Sequence, residues 1–110
     1  MTADLLDPPT GWRQAFDLVI ESQTVQALPR ALHPAAIANV ARFAGPGGTL
    51  LVLAAAGTED SAQAGPPWPL TPSEVASFAT DGLEPIDIAA IPDTDNPEIR
   101  RWCAEFRRPA

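Results

Sequence analysis

Two strongly apolar runs, Phe16-Asp17-Leu18-Val19-Ile20-Glu21 and Thr49-Leu50-Leu51-Val52-Leu53-Ala54, constrain this chain more than any other feature. Neither alternates apolar with polar residues, so each reads as a strand buried on both faces. Between them, Pro34 suits the first turn of a helix, and Ile37, Val40, Ala41 and Ala44 recur at the spacing of one helical face. Two-sided strands joined through a helix predict a parallel βαβ unit with a right-handed crossover and covering layers on both faces of its sheet. Gly45-Pro46-Gly47-Gly48 is expected to stop the helix, because Gly accepts a left-handed cap and Pro cannot continue the coil.

The second half supplies a helix and two more strands. Gly57 to Pro69 is polar and rich in Gly and Pro, which reads as a surface loop carrying Trp68. Thr71-Pro72-Ser73-Glu74 then has the pattern of a capping box with Pro at the first helical position. The helix is expected to present Val75, Phe78 and Ala79 on one face and to end at Asp81-Gly82. Ile86 and Ile88 alternate against Asp87, and Pro85 places that strand at a sheet edge. Trp102, Ala104 and Phe106 alternate against Arg101, Cys103, Glu105 and Arg107, a strand with one buried face. The turn-rich Pro92 to Pro97 between these strands implies a terminal antiparallel hairpin, and no internal repeat is present.

Composition narrows the function classes. Leu, Ile, Val and Phe make up 25 of 110 residues, and alanine alone contributes 20. One thin-cored domain over residues 1–110 is the expectation, because a methyl group buries little area. The net charge is −7, with seven Arg and no Lys. That balance disfavours nucleic acid, whose backbone calls for clustered positive charge. Arg100-Arg101 and Arg107-Arg108 are read as solvated strand positions. A single cysteine, Cys103, rules out an intrachain disulfide and is expected to be an inert packed thiol, and with the lone His33 it makes no metal set. No run reaches the roughly 18 apolar residues of a membrane span, and the N-terminus lacks the pattern of a signal peptide, so a soluble, cytoplasmic protein is expected.

Taken in order, these segments resemble the second half of the class I S-adenosylmethionine-dependent methyltransferases. Ala3-Asp4-Leu5-Leu6-Asp7-Pro8-Pro9 is similar to the end of the family's third strand, and Phe16 to Glu21 to its fourth. Gly45 to Leu51 looks like the turn into the fifth strand, and Trp102 to Arg108 like the final antiparallel one. Pro66-Pro67-Trp68-Pro69-Leu70 resembles bacterial members near the small-molecule, thiopurine-like branch. The resemblance implies a partial Rossmann-like α/β sheet, with two parallel strands, crossover helices and a C-terminal antiparallel hairpin. The family's first strands and its glycine-rich cofactor turn have no counterpart: the one Gly cluster precedes a strand, the reverse of the strand–loop–helix context such a turn requires.

Function follows as an expectation from that resemblance. It implies S-adenosylmethionine as cofactor, a small-molecule acceptor, and a domain incomplete without its front half. Alternatively, the chain is a non-catalytic remnant serving as a dimerisation or regulatory module. Ligands of open α/β sheets lie beyond the carboxyl ends of the parallel strands, which brings Glu21, Ser22, Gln23 and Thr24 forward. Glu21 would orient a substrate or act as a general base; it also reads as a strand-end carboxylate in water. Asp4 and Leu5, with Glu21 and Ser22, are the cofactor candidates, and Thr24 and Trp68 the substrate candidates. Trp68 reads more readily as a loop anchor packed on the sheet edge. His33 reads as a capping or solvent-facing imidazole and, less readily, as a catalytic one, and Trp12 and Trp102 as packing residues. In the family's strand order Phe16 to Glu21 would have an unpaired edge, which a homodimer or a complementing chain would cover.

Overall fold

The computed structural model describes residues 10–22, 24–57, 68–92, 95 and 100–110. Strand β1 (Phe16–Ser22) leads through two short 3-10 turns to helix α1 (His33–Ala41), and then come β2 (Ala44–Ala55), α2 (Pro72–Ala76), β3 (Glu84–Pro92) and β4 (Arg100–Arg107). The four strands form one sheet in the order β1-β2-β4-β3. β1 and β2 run parallel, while β4 pairs antiparallel with both β2 and β3. The parallel pair and the terminal hairpin are those expected from sequence. The hairpin docks through its second strand, which leaves the Pro85-bearing β3 at the outer edge.

The core lies on one face of this sheet. Leu50, Val52 and Ala54 of β2 and Trp102, Ala104 and Phe106 of β4 pack with Ala36, Ile37, Val40 and Ala41 of α1 and with Val75 and Phe78. Alternation in β4 therefore reads out as predicted. The two-sided reading of the apolar runs does not hold within this chain: Leu18 and Ile20 are each 56% exposed and Leu53 41%. Cys103 is also exposed, which corrects its reading as a packed thiol. α2 is shorter than its sequence suggests, ending at Ala76 with Ala79 exposed, and a turn with positive φ at Asp81 and Gly82 follows.

The glycine run is not a helix stop. α1 closes at Ala41, the Phe43 carbonyl accepts the Phe16 N–H at 3.1 Å, and β2 already pairs with β1 at Ala44. Gly45 and Gly48 let the starts of the two parallel strands touch. A Cβ on Gly45 would sit 2.7 Å from the Gln14 carbonyl oxygen, and one on Gly48 2.9 Å from that of Phe16. Backbone cannot retreat as a flexible side chain would, so these positions need hydrogen in place of a methyl.

Arg108 does not occupy the solvated strand position expected of it. Its guanidinium is buried: Nε donates to the Ala44 carbonyl at 2.6 Å, and one terminal nitrogen donates to the Ala41 carbonyl at 3.0 Å and to the Asp81 carboxylate at 3.2 Å. The other terminal nitrogen donates to the Asp81 carbonyl. One side chain thus joins the last turn of α1, the start of β2 and the turn before β3. A planar fork with five donors suits this task where an ammonium would not.

Gly48→Ala is expected to destabilise the chain by about 1–3 kcal/mol through forced overpacking. Gly11→Ala, with no atom within 4 Å of the added Cβ, should stay within about 0.5 kcal/mol. Urea unfolding followed by tryptophan fluorescence compares the two.

Candidate functional site

The carboxyl ends of the parallel strands are organised by two carboxylates. Glu21 closes β1 and is only 3% exposed. Its Oε1 accepts the backbone N–H groups of Thr24 at 2.7 Å and Val25 at 2.9 Å, which caps the 3-10 turn Val25–Ala27 and fixes the path of the chain as it leaves the sheet. Its Oε2 is buried with no hydrogen-bond partner among the described residues. Burial holds this carboxyl above its ordinary value of 4.5, against the opposing pull of the Val25 and Thr24 hydrogen bonds and of His33. Glu21 is thus not a carboxylate in water. It is a loop-capping group with one oxygen available.

Glu74 organises the second loop. The Thr71 hydroxyl accepts the Glu74 N–H at 3.1 Å, and the Glu74 Oε1 accepts the Thr71 N–H at 2.9 Å, the reciprocal pair that the sequence foretells. The same carboxylate does more than the motif suggests. It pairs with the Arg30 guanidinium, and its Oε2 meets His33 Nδ1 at 2.5 Å. The other ring nitrogen, Nε2, is 2.8 Å from the Leu28 carbonyl, so an acceptor faces each side of a fully buried imidazole. His33 is therefore held in the interior between a carboxylate and a backbone carbonyl, which corrects its reading as a solvent-facing ring.

Backbone contacts complete the link between the loops. Gln26, buried, accepts the Ala55 N–H on its side-chain oxygen at 2.6 Å and the Trp68 N–H on its carbonyl at 2.7 Å. Arg30 donates to the Pro69 carbonyl at 2.9 Å, and Trp102 Nε1 to that of Leu70 at 2.8 Å. Trp68 is half-buried and held by its backbone beside Gln26. Ser22 and Thr24 are exposed. Glu21 and Thr24 share the lining of a small groove of about 90 Å³ with Val19, Ile20, Val40 and Phe43, and Trp68 stands apart from it. Asp4, Leu5 and Gln23 lie outside the described residues, as do Pro66 and Pro67. Among the described residues no group of His, Cys, Asp and Glu is placed to hold a metal, and no helix is long and apolar enough to cross a membrane.

Sequence reasoning missed Gln26, Arg30 and the His33–Glu74 pair. The separation between His33 and Glu74 carries no periodic signal, and only the stacking of two crossovers brings them together.

No protein-family model matches the sequence, and no curated protein sequence matches it. Solved structures do match the fold. The cyclase SpnF aligns with 100% of this chain at a TM-score of 0.75 and 16% identity. The N-methyltransferase NodS from Bradyrhizobium japonicum, in complex with S-adenosylhomocysteine, aligns with 98% at 0.67 and 20% identity. The 1,6-didemethyltoxoflavin-N1-methyltransferase of Burkholderia thailandensis, with S-adenosylhomocysteine bound, aligns with 96% at 0.69 and 12% identity. The chain spans 55, 53 and 48% of those three chains, about half of each. Its fold is that of part of a class I methyltransferase domain, as the sequence resemblance implies.

Two outcomes follow. Glu74→Ala, which strips the acceptor from His33, Arg30 and Thr71 at once, should cost roughly 2–4 kcal/mol, and Glu74→Gln, which keeps an oxygen for the Thr71 N–H, less. For Glu21 the raised folded-state value means that the native chain holds its proton more tightly than the unfolded one. The penalty for burying the carboxylate is absent below the ordinary value of 4.5 and sets in as pH rises from there through the folded-state value. Chemical denaturation across that range should show the wild type losing stability relative to Glu21→Gln as pH rises, then running parallel to it.

Proposed function

We propose that this chain is the substrate-side half of an S-adenosylmethionine-dependent methyltransferase acting on a small-molecule acceptor in the cytoplasm. The observation that supports the reading is the fold shared with two methyltransferases solved with S-adenosylhomocysteine, together with the two loop networks that hold the carboxyl ends of this chain's parallel pair. Ligands of open α/β sheets gather at that end.

The described residues fit one side of the cofactor and not the other. Gly45 and Gly48 are pressed against the Gln14 and Phe16 carbonyls, so the glycine run is occupied in strand packing and offers no cradle. Glu21 Oε2, buried and without a partner among the described residues, suits a single N–H or O–H donor. S-Adenosylmethionine, when bound, supplies an electrophilic methyl group. For the transfer itself a protein chiefly holds two reactants in line at reacting distance, and no covalent nucleophile or metal is needed.

This chain's share is positional. Glu21 orders the loop through Oε1 and takes a donor from cofactor or acceptor on Oε2. Ser22 and Thr24 present hydroxyls beside it, and Trp68 covers the acceptor from the loop that Gln26 anchors. Asp4 and Leu5 are assigned to the adenine side by resemblance. A second reading, a non-catalytic module, draws on the exposed β1 and on the fold's presence in a protein named as a cyclase.

Calorimetric titration of the folded 110-residue chain with S-adenosylmethionine and S-adenosylhomocysteine tests the half-site. With one side of the cofactor held, neither ligand should give saturable heat at micromolar concentration. Saturable micromolar binding would overturn the half-site and put a complete pocket in this chain; a Glu21→Gln titration would then report whether Oε2 belongs to it.

A further inference from the structure

His33 is the only histidine in the sequence, and it is fully buried. Its Nε2 lies 2.8 Å from the Leu28 carbonyl oxygen and its Nδ1 2.5 Å from Glu74 Oε2. A carbonyl oxygen can only accept, so the hydrogen of the first contact belongs to Nε2. Glu74 is held as a carboxylate, because its Oε1 takes both the Thr71 N–H and the Arg30 guanidinium. Imidazole is a stronger base than a carboxylate, which puts the hydrogen of the second contact on Nδ1. Two donors on one ring make an imidazolium ion. The ionisable groups around it are Arg30 on the turn before α1, Glu74 on α2 and Glu21 on β1, whose carboxyl feels the charge of His33. α1 and β2 carry no other titratable side chain.

The Leu28 contact ties a whole loop to α1. Leu28 closes the 3-10 turn Val25–Ala27, donating its N–H to the Val25 carbonyl at 3.0 Å. Within that turn Val25 donates to Glu21, and Gln26 accepts from two neighbours, the Ala55 N–H at the end of β2 and the Trp68 N–H. On its other side the ring meets the carboxylate that caps α2. One imidazole thus joins the loop after β1 to the start of α2, and both contacts depend on how many hydrogens it carries.

We infer that His33 is a proton-operated latch at the carboxyl end of the sheet: the imidazolium holds the 25–28 turn against α1, and the neutral ring releases it. A neutral imidazole has one N–H for two acceptors. The carboxylate is the stronger acceptor, so Nδ1 keeps the hydrogen and Nε2 turns a lone pair toward the Leu28 carbonyl. Two acceptors facing each other in the interior repel, and each forfeits its hydrogen bond. The turn then loses its tie to α1, and with it the rigidity through which Gln26 holds Ala55 and Trp68. The latch is closed on the acid side and opens as the pH rises. It is a property of the fold itself; only its bearing on ligand access rests on the half-site reading.

The test uses the full 110-residue chain labelled with nitrogen-15, in which the single imidazole gives one pair of ring-nitrogen signals. Ring spectra and amide hydrogen exchange, the latter corrected for its intrinsic pH dependence, are recorded from about pH 5 to 9. At the acid end both ring nitrogens should carry hydrogen. As the pH rises, Nε2 should lose its hydrogen while Nδ1 keeps it. Protection of the Ala55 and Trp68 amides should fall about tenfold in step, while that of the Arg108 amide, bonded to the Gly48 carbonyl, holds. Glu74→Gln separates the latch from other titrations: it offers an oxygen to Thr71 and Arg30 and an N–H to Nδ1, so a neutral ring keeps both contacts and protection should stay level. A ring already neutral at the acid end, a ring that keeps both hydrogens throughout, or a lost hydrogen with no change at Ala55 and Trp68 would each overturn the inference. An equal fall in Glu74→Gln would assign the loosening to Glu21 and overturn it too. Should that variant not fold, the wild-type spectra and exchange decide alone. No readout involves the cofactor, so the latch and the methyltransferase reading fail separately.

Discussion

A parallel strand pair has no hairpin to hold it, so this fold depends on whatever brings β1 and β2 side by side across a crossover of more than twenty residues. Closing such a connection costs chain entropy before any sheet contact offsets it. Three contacts do the closing. Gly45 and Gly48 let the strand starts approach at backbone distance, Arg108 pins the end of α1 to the start of β2, and Glu21 turns the chain out of β1 toward α1. Each joins backbone to something rigid, which suits a chain whose many alanines give its core little area to bury.

The same economy governs the charges. The chain is acidic, yet its interior polar contacts rest on a few multivalent groups. Glu74 serves a helix cap, an arginine and a histidine at once, and Arg108 serves three separate backbone segments. A single buried carboxylate with several donors is satisfied more fully than several carboxylates with one each. Both hubs sit between elements distant in sequence, so each closes a loop as well as neutralising a charge. Glu21 is the exception: one oxygen is used in full and the other is buried without a partner among the described residues. Such a group is costly unless something meets it, which is why that atom figures in the proposed ligand site.

The functional reading grows from an asymmetry. On the β4–β3 side the sheet is finished, with an edge guarded by proline and charge and a polar outer face. On the β1 side Leu18, Ile20 and Leu53 stay exposed. A fold seen in methyltransferases, held together where ligands gather and left apolar on that side, agrees with half of a site more readily than with a whole one.

The order of strands and helices, the capping box at Thr71 to Glu74, the edge position of β3 and the inward face of β4 were legible in the sequence, because each depends on local periodicity or on residues within a turn of one another. The apolar runs at Phe16 to Glu21 and Thr49 to Ala54 also announced two-sided strands, and the exposed Leu18, Ile20 and Leu53 show that among the described residues only one of the two faces is covered. The burial of Glu21, the joining of His33 to Glu74, the task of Arg108 and the use of the glycines as a strand-to-strand contact were decided by tertiary structure alone. Those depend on distances between residues tens of positions apart, fixed only once the crossovers stack, and periodicity along one chain carries no record of them.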